Sequence, residues 1–292
     1  MLERDRKMPK KMTRRTFLKT LGKTGAFTLL AGLSGYYYSK HIEPYWTEIT
    51  RFTIRHKLIP ADFWRFKIAL FSDTHLGYHY QLSHLRKAVS LIMEENPDMI
   101  IFSGDLMDNP SAYHQIRETV ELLRLLDAPF GKFAVFGNHD HGGYGTEKYR
   151  YIMEESRFKV LQNTAVPVAK GRSFIFLAGV DDCMLGRPDL KAALAQQPGE
   201  VYTILISHAP DYADVAKGYP VHLQISGHSH GGQIQIPFVG PVITPRYGRK
   251  YVEGLYALDG LTLYVNRGLG TTRLPFRFLS RPEITFFTLE PE

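Results

Sequence analysis

Five short stretches of the chain each end in residues that a pair of divalent metal ions would need: Asp73-Thr-His75, Gly104-Asp105, Gly137-Asn138-His139, His208 and Gly227-His228-Ser-His230. Taken singly they say little. Asp-x-His is usually a polar turn, Gly-Asp is nearly uninformative, and a lone histidine is usually a satisfied core residue. Order and setting change this. Each stretch follows an apolar run that reads as a β-strand: KIALFSDTH, MIIFSGD, KFAVFGNHD, YTILISH and HLQISGHSH. Ligand sites in α/β proteins form where strands end, at the carboxyl edge of the sheet. Asp, His, Asn and His at five successive strand ends therefore predict one metal centre.

The elements that must hold this centre alternate. Residues 41–66 read as an entry strand, Glu48 to Ile59, and a turn at Pro60. Gln81 to Asn96 repeats apolar residues at helical spacing and is closed by Pro97. His114 to Leu126 repeats the period, and shorter helical patterns follow near Lys148–Glu155, Asp189–Gln197 and Asp211–Lys217. From Gln233 onward the chain turns to strand and loop (QIQIPFVGPVITP, GLYALDGLTLYVN, PEITFFTLE), with Asp259-Gly260 a strong hairpin signal. Strands alternating with helices, then a β-rich tail, predict packed sheets flanked by helices. Gly104, Gly137 and Gly227 each precede a candidate ligand and are read as sharp turns off a strand. The expected organisation is a leader, 1–40, and one catalytic domain, 41–292.

Charge separates these two parts. The formal net charge is +7, yet residues 1–23 hold nine basic side chains against two acidic ones, so the rest of the chain is neutral. A neutral body without a basic stripe argues against nucleic-acid binding. Thr13-Arg-Arg-Thr-Phe-Leu-Lys19 has the form of a twin-arginine export signal, and the moderately apolar 14-residue stretch Gly25 to Tyr38 suits its hydrophobic region better than a membrane span. The alternative is a basic helix lying on the surface of a cytosolic protein. No clear A-x-A cleavage site follows, and Tyr36, Tyr37 and Tyr38 suit a membrane interface. The single cysteine, Cys183, excludes an intrachain disulfide and reads as structural.

The ordered set D-x-H, G-D-x-x-D, G-N-H-D, H and G-H-x-H resembles the calcineurin-like metallophosphoesterases from residue 73 to residue 230. The resemblance implies a four-layer α/β/β/α sandwich of two mixed sheets flanked by helices. It implies two divalent ions: Asp73, His75 and His230 would hold one, Asn138, His208 and His228 the other, and Asp105 would bridge them. His139 corresponds to the family's non-ligand histidine facing the phosphate. A bridging carboxylate agrees with its two oxygens, and an oxygen and imidazole donor set without thiolate suits Mn²⁺, Zn²⁺ or Fe.

The implied activity is hydrolysis of phosphate mono- or diesters through in-line attack by a hydroxide shared between the ions, with His139 serving the leaving group. Gly-His-Ser-His-Gly-Gly-Gln-Ile-Gln-Ile-Pro, Thr-Pro-Arg-Tyr-Gly and Asn-Arg-Gly-Leu-Gly-Thr-Thr-Arg resemble an exported, cell-wall-associated branch of the family. That branch implies export by the twin-arginine translocase to the cell wall or the outer face of the cytoplasmic membrane. Arg246, Arg267 and Arg273 are candidates for the substrate mouth, with loop salt bridges as the alternative, and Asp108 is expected just behind the ligands. A narrower alternative is a membrane-associated pyrophosphatase of the UDP-diacylglucosamine type. A non-catalytic metal-binding module is the other, and it should have lost Asp105 or a GHxH histidine; both are retained.

Overall fold

The structure is a computed structural model that describes residues 13–141 and 145–292. Its strands are β1 (Glu48–His56), β2 (Phe66–Phe71), β3 (Met99–Phe102), β4 (Lys132–Ala134), β5 (Phe158–Val160), β6 (Thr164–Lys170) and β7 (Ser173–Gly179). They continue with β8 (Thr203–Ile206), β9 (Leu223–Ser226), β10 (Gln235–Ile236), β11 (Gly240–Pro241), β12 (Gly254–Leu258), β13 (Leu261–Val265) and β14 (Glu283–Pro291). The helices are α1 (Arg14–His41), α2 (Leu82–Glu94), α3 (Ile116–Leu123), α4 (Gly145–Glu155), α5 (Leu190–Ala193) and α6 (Ala213–Ala216).

Two six-stranded sheets form the body, in the orders β1-β14-β2-β3-β4-β5 and β12-β13-β9-β8-β7-β6. Both are mixed: β2, β3, β4 and β5 run parallel, as do β13, β9, β8 and β7, while β14 pairs antiparallel with β2 and β6 with β7.

Strand alternation builds the layers. Ile68 and Leu70 of β2 face inward and meet Ile204, Ile206, Leu223 and Ile225 of the second sheet in one buried core. Ala69 and Phe71 face outward against Leu85, Val89 and Ile92 of α2 and Val120 and Leu123 of α3. On the far side, Leu205, Leu263 and Val265 pack under α5 and α6. Helices, sheet, sheet and helices are the expected four layers.

Local signals act where the pattern places them. The N terminus of α2 has a reciprocal cap in which the Gln81 amide donates to His84 Nδ1 at 3.0 Å. Beyond its C-terminal end, Asn96 adopts φ +49°, the left-handed conformation that stops a helix, just before Pro97. Asp259-Gly260 closes the β12–β13 hairpin with Gly260 at φ +75°. The helical patterns at 189–197 and 211–217 are shorter than expected, each giving a four-residue turn. The entry strand stops at His56 rather than Ile59.

The leader residues Gly25 to Tyr38 lie inside α1, a 28-residue helix with no fully buried side chain. Thr13 caps it by accepting the Thr16 amide at 3.2 Å. Among the described residues no helix is long and apolar enough to cross a membrane. The basic residues Arg4, Arg6, Lys7, Lys10 and Lys11 lie outside the described residues.

Candidate metal centre

All seven expected ligands leave the carboxyl ends of five strands: Asp73 and His75 after β2, Asp105 after β3, Asn138 after β4, His208 after β8, and His228 and His230 after β9. The first sheet supplies every oxygen donor and His75, and the second supplies the other imidazoles. Asp73, His75 and His230 place ligand atoms within 4.8 Å of one another, and so do Asp105, His208 and His228. One oxygen of Asp105, Oδ2, reaches both groups, lying 3.6 Å from His75 Nε2 and 3.2 Å from His208 Nε2.

Hydrogen bonds to carbonyls fix which ring nitrogens are free. A carbonyl only accepts, so the nitrogen facing it carries the proton. His208 Nδ1 donates to Ser103 O at 2.7 Å, and His228 Nε2 donates to Arg246 O at 2.8 Å. That leaves His208 Nε2 and His228 Nδ1 as lone pairs, and they face each other at 3.1 Å. His75 Nε2 and His230 Nε2 also converge at 3.1 Å, with Asp73 Oδ1 3.4 Å from His230. The side-chain oxygen of Asn138 is buried with no hydrogen-bond partner and lines the same cavity. Converging lone pairs, buried carboxylates and an orphaned amide oxygen are mutually unfavourable unless cations sit among them. The donor set therefore fits divalent ions.

Electrostatics within the protein agree. Burial alone would push the Asp105 carboxyl up, but His208, His139 and His75 outweigh it and hold the group well below the usual carboxylate range. Burial lowers His208, and the charges of Asp105 and Asp73 outweigh that and hold its imidazole high, as they would favour any positive charge placed there. His228 and His230 are pushed down, first by burial and then by their neighbouring imidazoles.

The backbone is bent to make this arrangement. Asp73, His75, Asp105, His228 and His230 all have positive φ, between +46° and +72°. This left-handed region costs a non-glycine residue about 1–3 kcal/mol and persists only where surroundings over-determine it. Asp140 does much of that holding. Fully buried, its carboxylate accepts the amides of Asp105 at 2.7 Å, Leu106 at 3.0 Å and Gly137 at 2.9 Å. Burial and the Asp105 charge still push its carboxyl up to about 7. Asp73 accepts the His228 amide on both oxygens and the Ser72 hydroxyl on one.

The glycines divide. Gly104 has φ +105° and is the expected turn. Gly137 and Gly227 have ordinary φ; a β-carbon on them would lie 2.2 Å from Asp105 Oδ1 and from Asp73 Oδ2 respectively. They are glycine so that two loops can close on the carboxylates.

His139 donates from Nδ1 to Asp108 O at 2.6 Å and from its amide to Asp105 Oδ1 at 2.8 Å, which leaves Nε2 as its free nitrogen. It also lies within ligand distance of His75 and Asp105. Asp108 stands behind the centre as expected, its Oδ1 3.3 Å from His75 Nδ1. His141 is tied away from the centre by Asp181 at 2.5 Å.

The centre floors a cavity of about 390 Å³ whose rim includes Arg246, Arg249 and Arg273. Among the described residues none of these arginines has a carboxylate at ion-pair distance. Arg267 is different. It is bound to Glu48 at 2.7 Å and Glu283 at 3.2 Å and does not line the cavity, so it ties the sheets rather than the substrate mouth.

Three supporting residues carry little or no sequence signal. Asp140, the last residue of the G-N-H-D motif, reads equally well as a support behind the ligands or as a loop acid. Fully buried Arg277 donates to the carbonyls of Arg267, Gly268 and Ser280 and lies 3.5 Å from His230 Nδ1. Gly270 packs so closely that a β-carbon would sit 2.1 Å from Thr74 O. Only the Asn-Arg-Gly-Leu-Gly motif hinted at this last contact.

Residues 66–232 match the family model described as calcineurin-like phosphoesterase. The chain is 49% identical over 284 residues to the uncharacterized metallophosphoesterase YkuE of Bacillus subtilis (strain 168), covering 96% of this chain and 99% of that protein. It is 32% identical over 289 residues to the phosphodiesterase YaeI of Escherichia coli (strain K12), covering 95% and 99%. It is also 30% identical over 273 residues to an uncharacterized metallophosphoesterase of Aquifex aeolicus (strain VF5), covering 89% and 98%. With this agreement along most of its length, the chain belongs to the calcineurin-like phosphoesterase family, the metal-dependent hydrolases of phosphate esters.

Proposed function

We propose that the chain is an exported, dinuclear phosphoesterase acting on phosphate esters outside the cytoplasm. The observation that carries the dinuclear part is the two pairs of facing imidazole nitrogens, His75 with His230 and His208 with His228, each 3.1 Å apart on either side of the Asp105 carboxylate. Asp73, His75 and His230 would hold one divalent ion, Asn138, His208 and His228 the second, and Asp105 both. Oxygen and imidazole donors without thiolate favour Mn²⁺, Zn²⁺ or Fe. Such ions, when bound, neutralise phosphate charge and lower the pKa of a water.

The chain's own residues do the rest. His139 keeps a proton on Nδ1 for the Asp108 carbonyl and offers Nε2 to the cavity. Burial lowers its imidazolium, but Asp105 and the Asp108 carbonyl outweigh this, so its pKa stands above the ordinary value. A protonated Nε2 donates to the departing ester oxygen. Arg246 and Arg273 on the rim bind phosphate oxygens, and the 390 Å³ cavity admits a substituent on each side of the phosphorus. A diester is the favoured substrate, in line with the phosphodiesterase name of the 32% identical relative.

Export rests on the Thr13–Lys19 motif and on a leader helix that has no fully buried side chain and touches the body only at its C-terminal end. Residues 1–40 would serve the twin-arginine translocase, and 41–292 would be the catalytic body at the cell wall or the outer face of the cytoplasmic membrane.

The test uses the full chain in mild detergent, stripped of metal and reloaded with Mn²⁺ or Zn²⁺. It compares p-nitrophenyl phosphate with bis-p-nitrophenyl phosphate. Turnover should need metal, favour the diester, and fall by about 10³-fold or more in Asp105→Asn. Two bound ions with no turnover on either ester would sink this reading.

A further inference from the structure

The rim of the cavity is built unlike its floor. Strands β10 and β11 are two residues each and carry a tip, Pro237-Phe238-Val239, that stands clear of the body. Phe238 is fully exposed and its backbone is left-handed at φ +67°, so the chain accepts an unfavourable conformation that leaves an aromatic ring in solvent. Ile236, Val239, Val242 and Ile243 are exposed beside it. Val242 and Ile243 also line the metal cavity, so the apolar surface runs from the tip to the mouth. Arg246, Arg249 and Arg273 collar that mouth without carboxylate partners among the described residues.

A second apolar element joins the same rim. Gln235 N donates to Phe278 O, and Phe278 N to Gln233 O, both at 2.8 Å, stitching the hairpin to segment 274–279. That segment also receives the end of α1: Arg277 N donates to Ser39 O at 2.9 Å, Tyr36 packs on Phe276, and Tyr38 packs edge-on against Phe278. Buried Glu43, just past α1, accepts the Ser280 amide at 2.6 Å. The leader helix, with Phe27, Leu29, Leu30 and Leu33 exposed, is therefore fixed to the same wall as the hairpin.

The geometry points to a lipid-docking surface: the 234–243 hairpin inserts into an anionic bilayer beside the leader helix and seats the cavity mouth in the headgroup layer. Exposed apolar side chains next to unpaired arginines are complementary to acyl chains beneath anionic headgroups. Tyrosines at the junction of helix and body suit the interface between the two. A two-residue-stranded loop offers no extended face for a protein partner, whereas insertion needs only a tip. The substrate consequence rests on the phosphoester reading of the cavity: the hydrolysed phosphate belongs to an amphiphile held in the bilayer.

The test uses the metal-loaded full chain with vesicles of phosphatidylcholine alone or mixed with phosphatidylglycerol. In Phe238→Trp the introduced indole should shift to the blue on the mixed vesicles. Lipids brominated in their acyl chains should quench it beyond the background of Trp46 and Trp64 in the parent. Phe238→Ser combined with Val239→Ser should weaken co-sedimentation at least about tenfold and leave turnover of bis-p-nitrophenyl phosphate unchanged.

An indole that is not quenched while the chain rides on vesicles would show that the leader alone binds, and would overturn the proposal. Indifference of the parent to both vesicle types, or equal binding by the double variant, would overturn it as well. Loss of bis-p-nitrophenyl phosphate turnover in the parent would instead fail the phosphoester reading, with quenching still deciding the docking.

Discussion

The floor and the rim of one cavity are built on opposite principles. The floor is buried and over-determined: five ligand residues sit in left-handed backbone, held by Asp140, by Ser72 and by glycines that admit the loops. The rim is apolar and exposed, and little more than paired two-residue strands and a few turn hydrogen bonds hold it. Binding divalent cations requires donors fixed to within tenths of an ångström, while meeting a large and variable surface rewards a part that can adjust. Each region spends backbone strain, the floor to aim carboxylates and imidazoles, the rim to display Phe238.

The floor should break at its tightest contact. Gly227→Ala puts a β-carbon 2.2 Å from both Asp73 Oδ2 and Ser72 Oγ. Neither can retreat, because Asp73 also holds the His228 amide. We expect loss of bound metal, at least about 10²-fold less turnover and destabilisation of about 2–3 kcal/mol. Gly218→Ala is the control, since its nearest neighbour, Val215 O, lies at an ordinary 3.5 Å. Metal analysis and thermal unfolding of the two variants would show whether the floor is as rigid as its contacts imply; a fully loaded Gly227→Ala would refute it.

His139→Gln should be milder because it removes a proton donor and no expected ligand. Turnover should fall about 10²-fold with metal content intact. In the parent, the rate should decline as pH rises through the titration of His139, and that limb should vanish in the variant. A pH profile measured on both proteins decides this. Loss of metal in the variant would instead place His139 among the ligands.

The same contrast explains what was legible in the sequence. Ligand chemistry restricts residue type, and strand ends are marked by apolar runs, so all seven expected ligands and His139 could be named from local motifs. The periods of α2 and α3 were equally plain. Contacts between distant segments were not. Gly137 and Gly227 looked like turns because nothing local shows a carboxylate approaching from another loop. Arg267 and Arg273 look alike in sequence, yet one finds Glu48 and Glu283 and the other solvent. Arg277 lies 47 residues from the histidine it backs. The run QIQIPFVGPVITP read as strand and loop, but an apolar pattern does not say which side chains will be left uncovered.

The smallest effect should come from the tie behind the floor. Asp181 Oδ1 meets His141 Nε2 at 2.5 Å and joins the Asn138–His139 loop to the segment after β7. Burial raises the Asp181 carboxyl, but the His141 hydrogen bond and the Arg187 amide outweigh it and bring it down to about 2. Burial lowers His141, and Asp181 more than reverses that, so its pKa is raised. The signs then fix a window. The raised histidine contributes stability that is complete below its unfolded pKa of about 6.5 and fades as pH climbs through the folded value. The lowered carboxyl contributes stability that is complete above about 3.9 and fades as pH falls toward 2. The pair should therefore matter most between about pH 4 and 6.5, and Asp181→Asn should cost about 1 kcal/mol there after solvent screening and less at pH 9. Urea unfolding of parent and variant across this range measures it. A cost that does not change with pH would mean that Asp181 acts through its backbone amides, and the floor is then held without help from this charge.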